Sequence, residues 1–115
     1  LVAALSAARV AGVKYVPLYF TPSASTNQDL KCGGVQLILA NAEKLNSVLL
    51  GMTLISVLNK LYPDKFEIAK VLRLLGNERA LERLKTGRPP IEILKAGDSE
   101  LRRFLARRQK ALIYD

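Results

Sequence analysis

The sequence predicts an α+β fold, with a small sheet of two or so strands near the amino terminus packed by a mostly helical carboxy-terminal part. Two short apolar runs, Val13–Phe20 and Val35–Ala40, are rich in β-branched and aromatic residues and are too short for good helices. A polar loop separates them, and the chain after Asn41 has helical spacing. At 115 residues the chain is long enough for one core, so we expect a single domain over residues 1–115.

The first forty residues predict a helix, a strand, a loop and a second strand. Leu1–Arg9 is alanine-rich and favours a short helix. Pro17 indicates that the first strand is an edge strand or contains a bulge, because proline has no N–H for the ladder. Thr21–Lys31 is rich in serine, threonine and asparagine, and we expect this loop to be exposed and to present polar groups to a ligand. Gly33 and Gly34 indicate a sharp bend or a close approach of the backbone to a neighbour.

Asn41–Leu61 predicts the central helix of the domain. Asn41 is a suitable N-cap, and apolar residues cover nearly the whole circumference, which is typical of a helix buried at the centre of a core. The stretch between Lys44 and Lys60 is shorter than the roughly 20 apolar residues that span a bilayer. We therefore expect no membrane span.

Shorter helices are expected in the remaining chain. Proline and glycine positions divide it into segments at Phe66–Leu75, Asn77–Gly87, Pro89–Leu94 and Ser99–Ile113. Asn77 is the expected N-cap of the second segment, with Leu81 and Leu84 facing inward. The last helix has an apolar side that we expect to face the core, formed by Leu101, Phe104, Leu105, Leu112 and Ile113.

The composition excludes several kinds of site. The chain contains no histidine, which excludes a Ser-His-Asp triad, a Cys-His pair and histidine-ligated zinc. Cys32 is the single cysteine, so neither an internal disulfide nor a thiolate metal cluster can form, and we expect no metal and no cofactor. We expect Cys32 to be buried and inert, because Lys31 is the only adjoining basic residue.

The carboxylates argue against catalysis by this chain alone. Glycoside hydrolysis usually needs two carboxylates about 5–10 Å apart across one bond. Asp29 is the only acid in the loop, and the other nine lie on predicted helices or at their ends, where caps and i,i+4 partners explain them. We therefore predict no catalytic residue and no glycosidase activity for the isolated chain.

The formal charge is +8, from 18 basic and 10 acidic residues. Much of the excess lies on the last predicted helix, at Arg102, Arg103, Arg107, Arg108 and Lys110. Such a cluster is either a solvated helix face or a surface that binds a polyanion. No helix-turn-helix spacing, RNA-binding aromatic motif or glycine-rich RNA clamp accompanies it, which makes nucleic acid an unlikely partner. An anionic polymer such as cell wall matches the charge equally well.

Three motifs resemble one known family. They are Tyr19-Phe20-Thr21-Pro22, Cys32-Gly33-Gly34-Val35-Gln36 and Leu61-Tyr62-Pro63-Asp64, and the ending from Phe104 to Tyr114 is similar to the family's closing pattern. Together they resemble the C-terminal domain of the exo-β-N-acetylmuramidase (NamZ-type) family, formerly catalogued as a domain of unknown function. The resemblance covers nearly the whole chain. The Cys-Gly-Gly-Val-Gln run with its upstream Tyr-Phe-Thr-Pro is the more specific part.

The resemblance implies that this chain is the C-terminal accessory domain of a longer two-domain bacterial glycosidase. In that family a Rossmann-like N-terminal domain carries the catalytic acid, and the two domains form a cleft for peptidoglycan-derived glycans ending in muramic acid. The resemblance implies a periplasmic or extracellular location. No signal peptide is visible in this sequence, and because Leu1 lies within a predicted helix we expect a fragment of a longer protein. The candidate substrate-binding residues are Tyr19, Thr21, Ser23, Cys32, Gly33 and Gln36.

The alternative function is that of a stand-alone basic module that binds nucleic acid or another polyanion.

The sequence departs from the family pattern at two places near the loop. The family usually has a Thr-Phe-Ser-Lys-like run after the first motif, where this chain has Ser23-Ala24-Ser25-Thr26. The family often has a histidine and a Thr-Asp pair after Gln36, where this chain has Leu37-Ile38-Leu39-Ala40-Asn41. An aromatic side chain and a basic side chain that could contact an acidic sugar are therefore missing from the first of these positions.

Overall fold

The computed structural model describes residues 1–113, which are about 50% helical and 14% strand. The α+β prediction is confirmed. In chain order the elements are α1 (Val2–Ala7), β1 (Val13–Phe20), β2 (Cys32–Leu39), α2 (Ser47–Leu61), a 3₁₀ helix (Ile68–Val71), α3 (Leu72–Leu75), α4 (Glu78–Lys85), α5 (Pro90–Ala96) and α6 (Asp98–Gln109).

The two strands form one antiparallel hairpin. β1 has the predicted bounds, whereas β2 begins at Cys32 and not at Val35, so the glycine pair belongs to the strand. The pairing continues without a break to Phe20 opposite Cys32, which excludes a bulge at Pro17. Within the described residues the sheet has two strands, so both are edge strands. Of the two predictions for Pro17, an edge strand or a bulge, the edge strand is confirmed.

Gly12 joins the base of the hairpin to the turn before α2. Its φ is +82°, in the left-handed region that favours glycine. The N–H groups of Ala40 and Asn41 both donate to its carbonyl oxygen, at 2.8 and 3.1 Å. A Cβ at residue 12 would collide with the Asn41 carbonyl oxygen and lie 2.8 Å from the Leu45 nitrogen. The hairpin and the helical part are therefore in backbone contact at a position that admits no side chain.

The predicted start of the central helix at Asn41 is wrong. α2 begins at Ser47, and the side-chain oxygen of Asn46 accepts a hydrogen bond from the Leu49 N–H at 2.9 Å. Asn41 does form the same kind of bond, accepting from the Lys44 N–H at 3.0 Å, but it caps a separate turn. The reason is tertiary, because the contact with Gly12 holds the chain in that turn before the helix can start.

The core lies in the helical part. Met52, Leu84 and Ile93 form its buried cluster, and partly buried apolar side chains from neighbouring helices surround them: Ile55, Ile68, Leu75, Ala80 and Leu94. α2 contacts α1, α4, α5 and the 3₁₀ helix, so its central position is confirmed. Only Met52 and Thr53 are buried on it, however, and the expectation that α2 is buried nearly all round is wrong. Residues 49–51 and 54–59 are partly exposed, so the short neighbouring helices cover α2 on all sides but incompletely.

The shorter helices follow the sequence more closely. The segment predicted as one helix over Phe66–Leu75 divides into the 3₁₀ helix and α3. Asn77 caps α4 as expected, since its side-chain oxygen accepts from the Ala80 N–H at 2.9 Å. Leu81 and Leu84 are 3% and 1% exposed, which confirms that they face inward.

α6 ends at Gln109, so the prediction that its helix continues to Ile113 is wrong. Among residues 1–113, the one element with which α6 makes a substantial contact is α5. The apolar side predicted to face the core is therefore exposed, at Leu101, Phe104, Leu105, Leu112 and Ile113. Tyr114, which completes the family-like ending, lies outside the described residues.

The molecule is elongated. Its radius of gyration is 16.9 Å and its extents are 52 × 30 × 29 Å, whereas a compact domain of this length has a radius of gyration of about 13 Å. The hairpin, whose main neighbour is α1, and the weakly packed α6 account for the excess. Within residues 1–113, no helix has the length and hydrophobicity needed to cross a bilayer.

Gly12→Ala is expected to lower the free energy of unfolding by roughly 2–4 kcal/mol. The alanine would have to adopt the left-handed conformation of Gly12, and its Cβ would clash with neighbouring backbone atoms. Gly51→Ala is the matched control. A Cβ at residue 51, in the middle of α2, meets nothing within 4 Å, so this change should raise stability by about 1 kcal/mol. Urea denaturation measures both, and equal shifts in the same direction would contradict the backbone contact.

Leu84→Ala should destabilise the fold by about 2–5 kcal/mol, because it leaves a cavity in the buried cluster. Leu74 on α3 is 90% exposed, so Leu74→Ala removes the same atoms from the surface and should change little. Thermal unfolding of the two variants side by side tests where the core lies. Similar losses for both would place the core elsewhere.

Candidate functional site

The hairpin has two faces, because successive residues of a strand point to opposite sides. One face contacts α1 and includes the partly buried Val13, Tyr15 and Val35. The other face carries Val16, Leu18, Phe20 and Ile38, which are between 39% and 46% exposed. α1 covers its own face only in part, since Leu37 and Leu39 there are 43% and 59% exposed. We call these the α1 face and the open face.

The structure divides the candidate substrate-binding residues of the hairpin between these faces. Tyr19 and Gly33 lie opposite each other on the α1 face. Cys32, paired with Phe20, and Gln36, paired with Val16, lie on the open face. The four residues therefore do not converge on one point, and a ligand in contact with Tyr19 meets Gly33 but not Gln36.

Tyr19 and Gly33 line an open cleft of about 390 Å³ at the loop end of the hairpin. One wall is the start of α1, and Tyr62, the C-cap residue of α2, also lines it. The full lining is Leu1, Val2, Ala3, Pro17, Leu18, Tyr19, Gly33, Gly34, Val35 and Tyr62. Segments far apart in sequence thus meet here. No carboxylate is among the lining residues.

The glycine pair makes room for two aromatic rings. A Cβ at residue 33 would lie 3.6 Å from Cε1 of Tyr19, an ordinary contact, so the ring runs alongside the Gly33 backbone. A Cβ at residue 34 would lie 2.8 Å from Cε1 of Phe20, which is too close. The predicted close approach is confirmed, and the neighbours are Tyr19 and Phe20, on opposite faces of the hairpin.

Tyr19 is 74% exposed although its ring lies against the hairpin. The Nζ of Lys31 lies 5.7 Å from the centroid of this ring, within the distance of a cation–π interaction. Hairpin pairing produces this contact, since Lys31 immediately precedes the residue that pairs with Phe20. The exposed ring of Tyr19 lines the cleft, and the cation of Lys31, which is not itself a lining residue, lies beside that ring.

The loop that follows β1 is exposed, as expected, including the candidate residues Thr21 and Ser23, neither of which lines the cleft. The Asp29 N–H donates to the Pro22 carbonyl at 2.9 Å and closes the loop on itself. Ser25, Asn27 and Asp29 have φ between +60° and +70°. Alternate residues in this part of the loop therefore have a left-handed backbone conformation.

Cys32 is partly exposed, so the expectation of full burial is wrong. Its Sγ–H donates to the Leu30 carbonyl at 3.4 Å, a local bond across the end of the loop. The physical reason is the position of Cys32 on the open face, against which no helix of residues 1–113 makes a substantial contact.

Tyr15 is a second polar group of the hairpin, on the α1 face. Its hydroxyl oxygen is buried and has no hydrogen-bond partner within the described part of the chain. Burial raises the pKa of Tyr15 above its ordinary value. The side chain is therefore a neutral packing residue beneath α1 and does not line the cleft.

The basic residues of α6 lie outside the cleft and are exposed. Arg102 and Arg103 donate from Nε to carbonyl oxygens of their own helix, and none of the α6 cations forms an ion pair within residues 1–113. A polyanion-binding role for this face stays a prediction. The same described residues contain no cluster of cysteine and carboxylate side chains suited to a metal ion.

Comparison with known proteins identifies the family. The sequence model described as "Exo-beta-N-acetylmuramidase NamZ, C-terminal" matches residues 1–114. The chain belongs to the NamZ C-terminal family. This confirms the resemblance that the three motifs indicated. Two of the motifs contribute Tyr19, Gly33 and Gly34 to the cleft, and the third contributes Tyr62.

Two similar proteins extend this result. The chain is 30% identical over 113 residues to the peptidoglycan beta-N-acetylmuramidase NamZ of Bacillus subtilis (strain 168), an alignment that covers 96% of this chain but 27% of that protein. A crystal structure of a DUF1343 family protein from Bacteroides fragilis NCTC 9343 superposes with a TM-score of 0.69 at 19% identity, covering all of this chain and 33% of the other. At that identity the second likeness shows the fold. The chain therefore spans about a third or less of the length of either relative.

Sequence reasoning missed Tyr62, which lines the cleft, and Lys31, which lies beside the Tyr19 ring. Lys31 was considered only as the neighbour of Cys32, and its proximity to Tyr19 depends on the strand register. Tyr62 belongs to the Leu-Tyr-Pro-Asp motif, which was enough to mark it as a candidate site residue. Because Tyr62 and Tyr19 are far apart in the sequence, only the NamZ C-terminal fold shows that they line the same cleft.

Gly34→Ala is expected to force the Phe20 ring out of its position and to cost about 1–3 kcal/mol, because the added methyl group overpacks the site. Gly33→Ala, the matched control, adds an ordinary contact with Tyr19 and should cost less. NMR chemical shifts of the Phe20 ring, with urea midpoints, distinguish them. A larger effect at residue 33 would contradict the geometry described here.

Proposed function

We propose that this chain is the C-terminal domain of a bacterial peptidoglycan exo-β-N-acetylmuramidase. In the parent protein its cleft forms one wall of the glycan-binding site, and a Rossmann-like N-terminal catalytic domain forms the other. The observation that carries the proposal is the cleft at the hairpin end, where Tyr19, Gly33 and Tyr62 from three family motifs meet. Family membership supports the glycan as its ligand.

The composition of the cleft supports an accessory role. Its lining offers aromatic rings and backbone groups but no carboxylate, while glycosidases usually need two. Catalytic groups must therefore come from elsewhere in the parent. In this division of labour the present domain orients the sugar, and the catalytic domain supplies the acid and the base.

The exposed apolar surfaces support a partner domain. The open face of the hairpin and the apolar side of α6 both carry large side chains that are about half exposed. Large apolar side chains grouped on one face of an element in this way are typical of an interaction site. Docking of the catalytic domain would cover such a surface and would explain why the isolated fold is elongated.

Action on peptidoglycan implies a periplasmic or extracellular location and a role in cell-wall turnover or recycling.

The test is release of N-acetylmuramic acid from a synthetic muramyl glycoside. The full-length parent should be active and this chain alone inactive. Tyr62→Ala in the parent should lower kcat/KM roughly tenfold, because a loss of about 1.4 kcal/mol in transition-state binding has that effect. Leu74→Ala, far outside the cleft, is the control. An inactive parent, or full activity of the Tyr62 variant, would overturn the proposal.

A further inference from the structure

We propose that Tyr19 and Lys31 form a subsite that recognises the acidic sugar of the glycan. The ring of Tyr19 stacks against the pyranose, and the ammonium group of Lys31 binds the lactyl carboxylate of N-acetylmuramic acid. This inference rests on the proposed function for the identity of the glycan. It goes beyond it by assigning the selection of muramic acid over N-acetylglucosamine to two named side chains.

The first observation is the state of the Tyr19 ring. It is 74% exposed, yet it runs alongside the Gly33 backbone, with ordinary contact distances of 3.6 and 3.9 Å to the position of a Cβ. A large exposed ring that packs against the backbone is a preorganised apolar surface. Its orientation is already restricted, so little conformational entropy is lost when a ligand binds. The C–H groups on one side of a pyranose match such a surface.

The second observation is the position of the cation. Lys31 Nζ lies 5.7 Å from the centre of the Tyr19 ring, and within residues 1–113 this is the one cation–aromatic pair. Lys31 forms no ion pair among those residues. A carboxylate that approaches over the ring therefore meets a charge that the ring already holds in place and that no protein acid neutralises.

The third observation is the space beside the ring. The cleft measures about 390 Å³, within the range of about 300–1,000 Å³ for small-molecule sites. Tyr62 lies elsewhere in its lining and limits where a sugar can lie. N-acetylmuramic acid differs from N-acetylglucosamine by a lactyl ether on one hydroxyl, so the cation beside the Tyr19 ring is enough to distinguish a sugar stacked on that ring.

The test uses the full-length protein that contains this chain and two ligands that differ only in the lactyl group. They are the methyl β-thioglycosides of N-acetylmuramic acid and of N-acetylglucosamine, whose sulfur-linked methyl group resists hydrolysis by the parent, and their dissociation constants are measured by calorimetry. The muramic acid glycoside should bind about tenfold more tightly, equivalent to about 1.4 kcal/mol. In Lys31→Met, which keeps the aliphatic stem, the two constants should agree within about twofold.

Two further variants complete the design. Tyr19→Leu should weaken the binding of both glycosides, because it removes the stacking surface but keeps an apolar side chain. Lys14→Met removes an exposed lysine from β1 outside the cleft and should leave the preference intact. A preference that survives Lys31→Met, no preference in the unaltered protein, or no binding of either glycoside would each overturn the assignment.

The two proposals fail in different ways. If the parent releases no muramic acid but binds its glycoside through Lys31, the proposed function is wrong and the subsite stands. If the parent is active and Lys31→Met keeps the preference, the subsite is wrong and the proposed function stands.

Discussion

The arrangement of the domain depends on the backbone contact at Gly12. Its carbonyl accepts two hydrogen bonds from the residues that follow β2, Ala40 and Asn41, and the absence of a side chain lets the Asn41–Leu45 turn pack directly against it. This contact holds the hairpin on the helical part, because the main other link is the packing of α1 against β1 and α2. It also delays the start of α2 to Ser47. The position of the cleft relative to the core follows from it.

The domain has a stable end and an open end. Met52, Leu84 and Ile93 pack among α2, α4 and α5, where the buried side chains concentrate. The hairpin end offers aromatic rings, glycines and a turned loop with little burial. Such a division suits a recognition domain, because a packed scaffold can carry exposed binding groups without using them for its own stability. It also suits a domain that completes its surface against a partner.

The two glycines place one short motif against aromatic rings on both faces of the hairpin. Gly34 leaves room for Phe20 on the open face, and Gly33 runs beside Tyr19 on the α1 face. Because strand residues alternate in direction, the adjacent rings Tyr19 and Phe20 take part in different surfaces. We propose that one surface meets the glycan and the other meets the catalytic domain.

The sequence by itself determined the fold class, the bounds of β1, the N-cap at Asn77 and the family, since each depends on local pattern or on contiguous motifs. It misplaced the start of α2, because Asn41 and Asn46 are equally good caps and a distant glycine selects between them. It also placed the apolar side of α6 in the core, because periodicity shows that a helix has an apolar side but not what covers it. Only the tertiary structure decided that Tyr19 and Gly33 share a cleft with Tyr62 while Cys32 and Gln36 face away. Strand register and helix packing set those relations, and both arise from contacts between residues far apart in the chain.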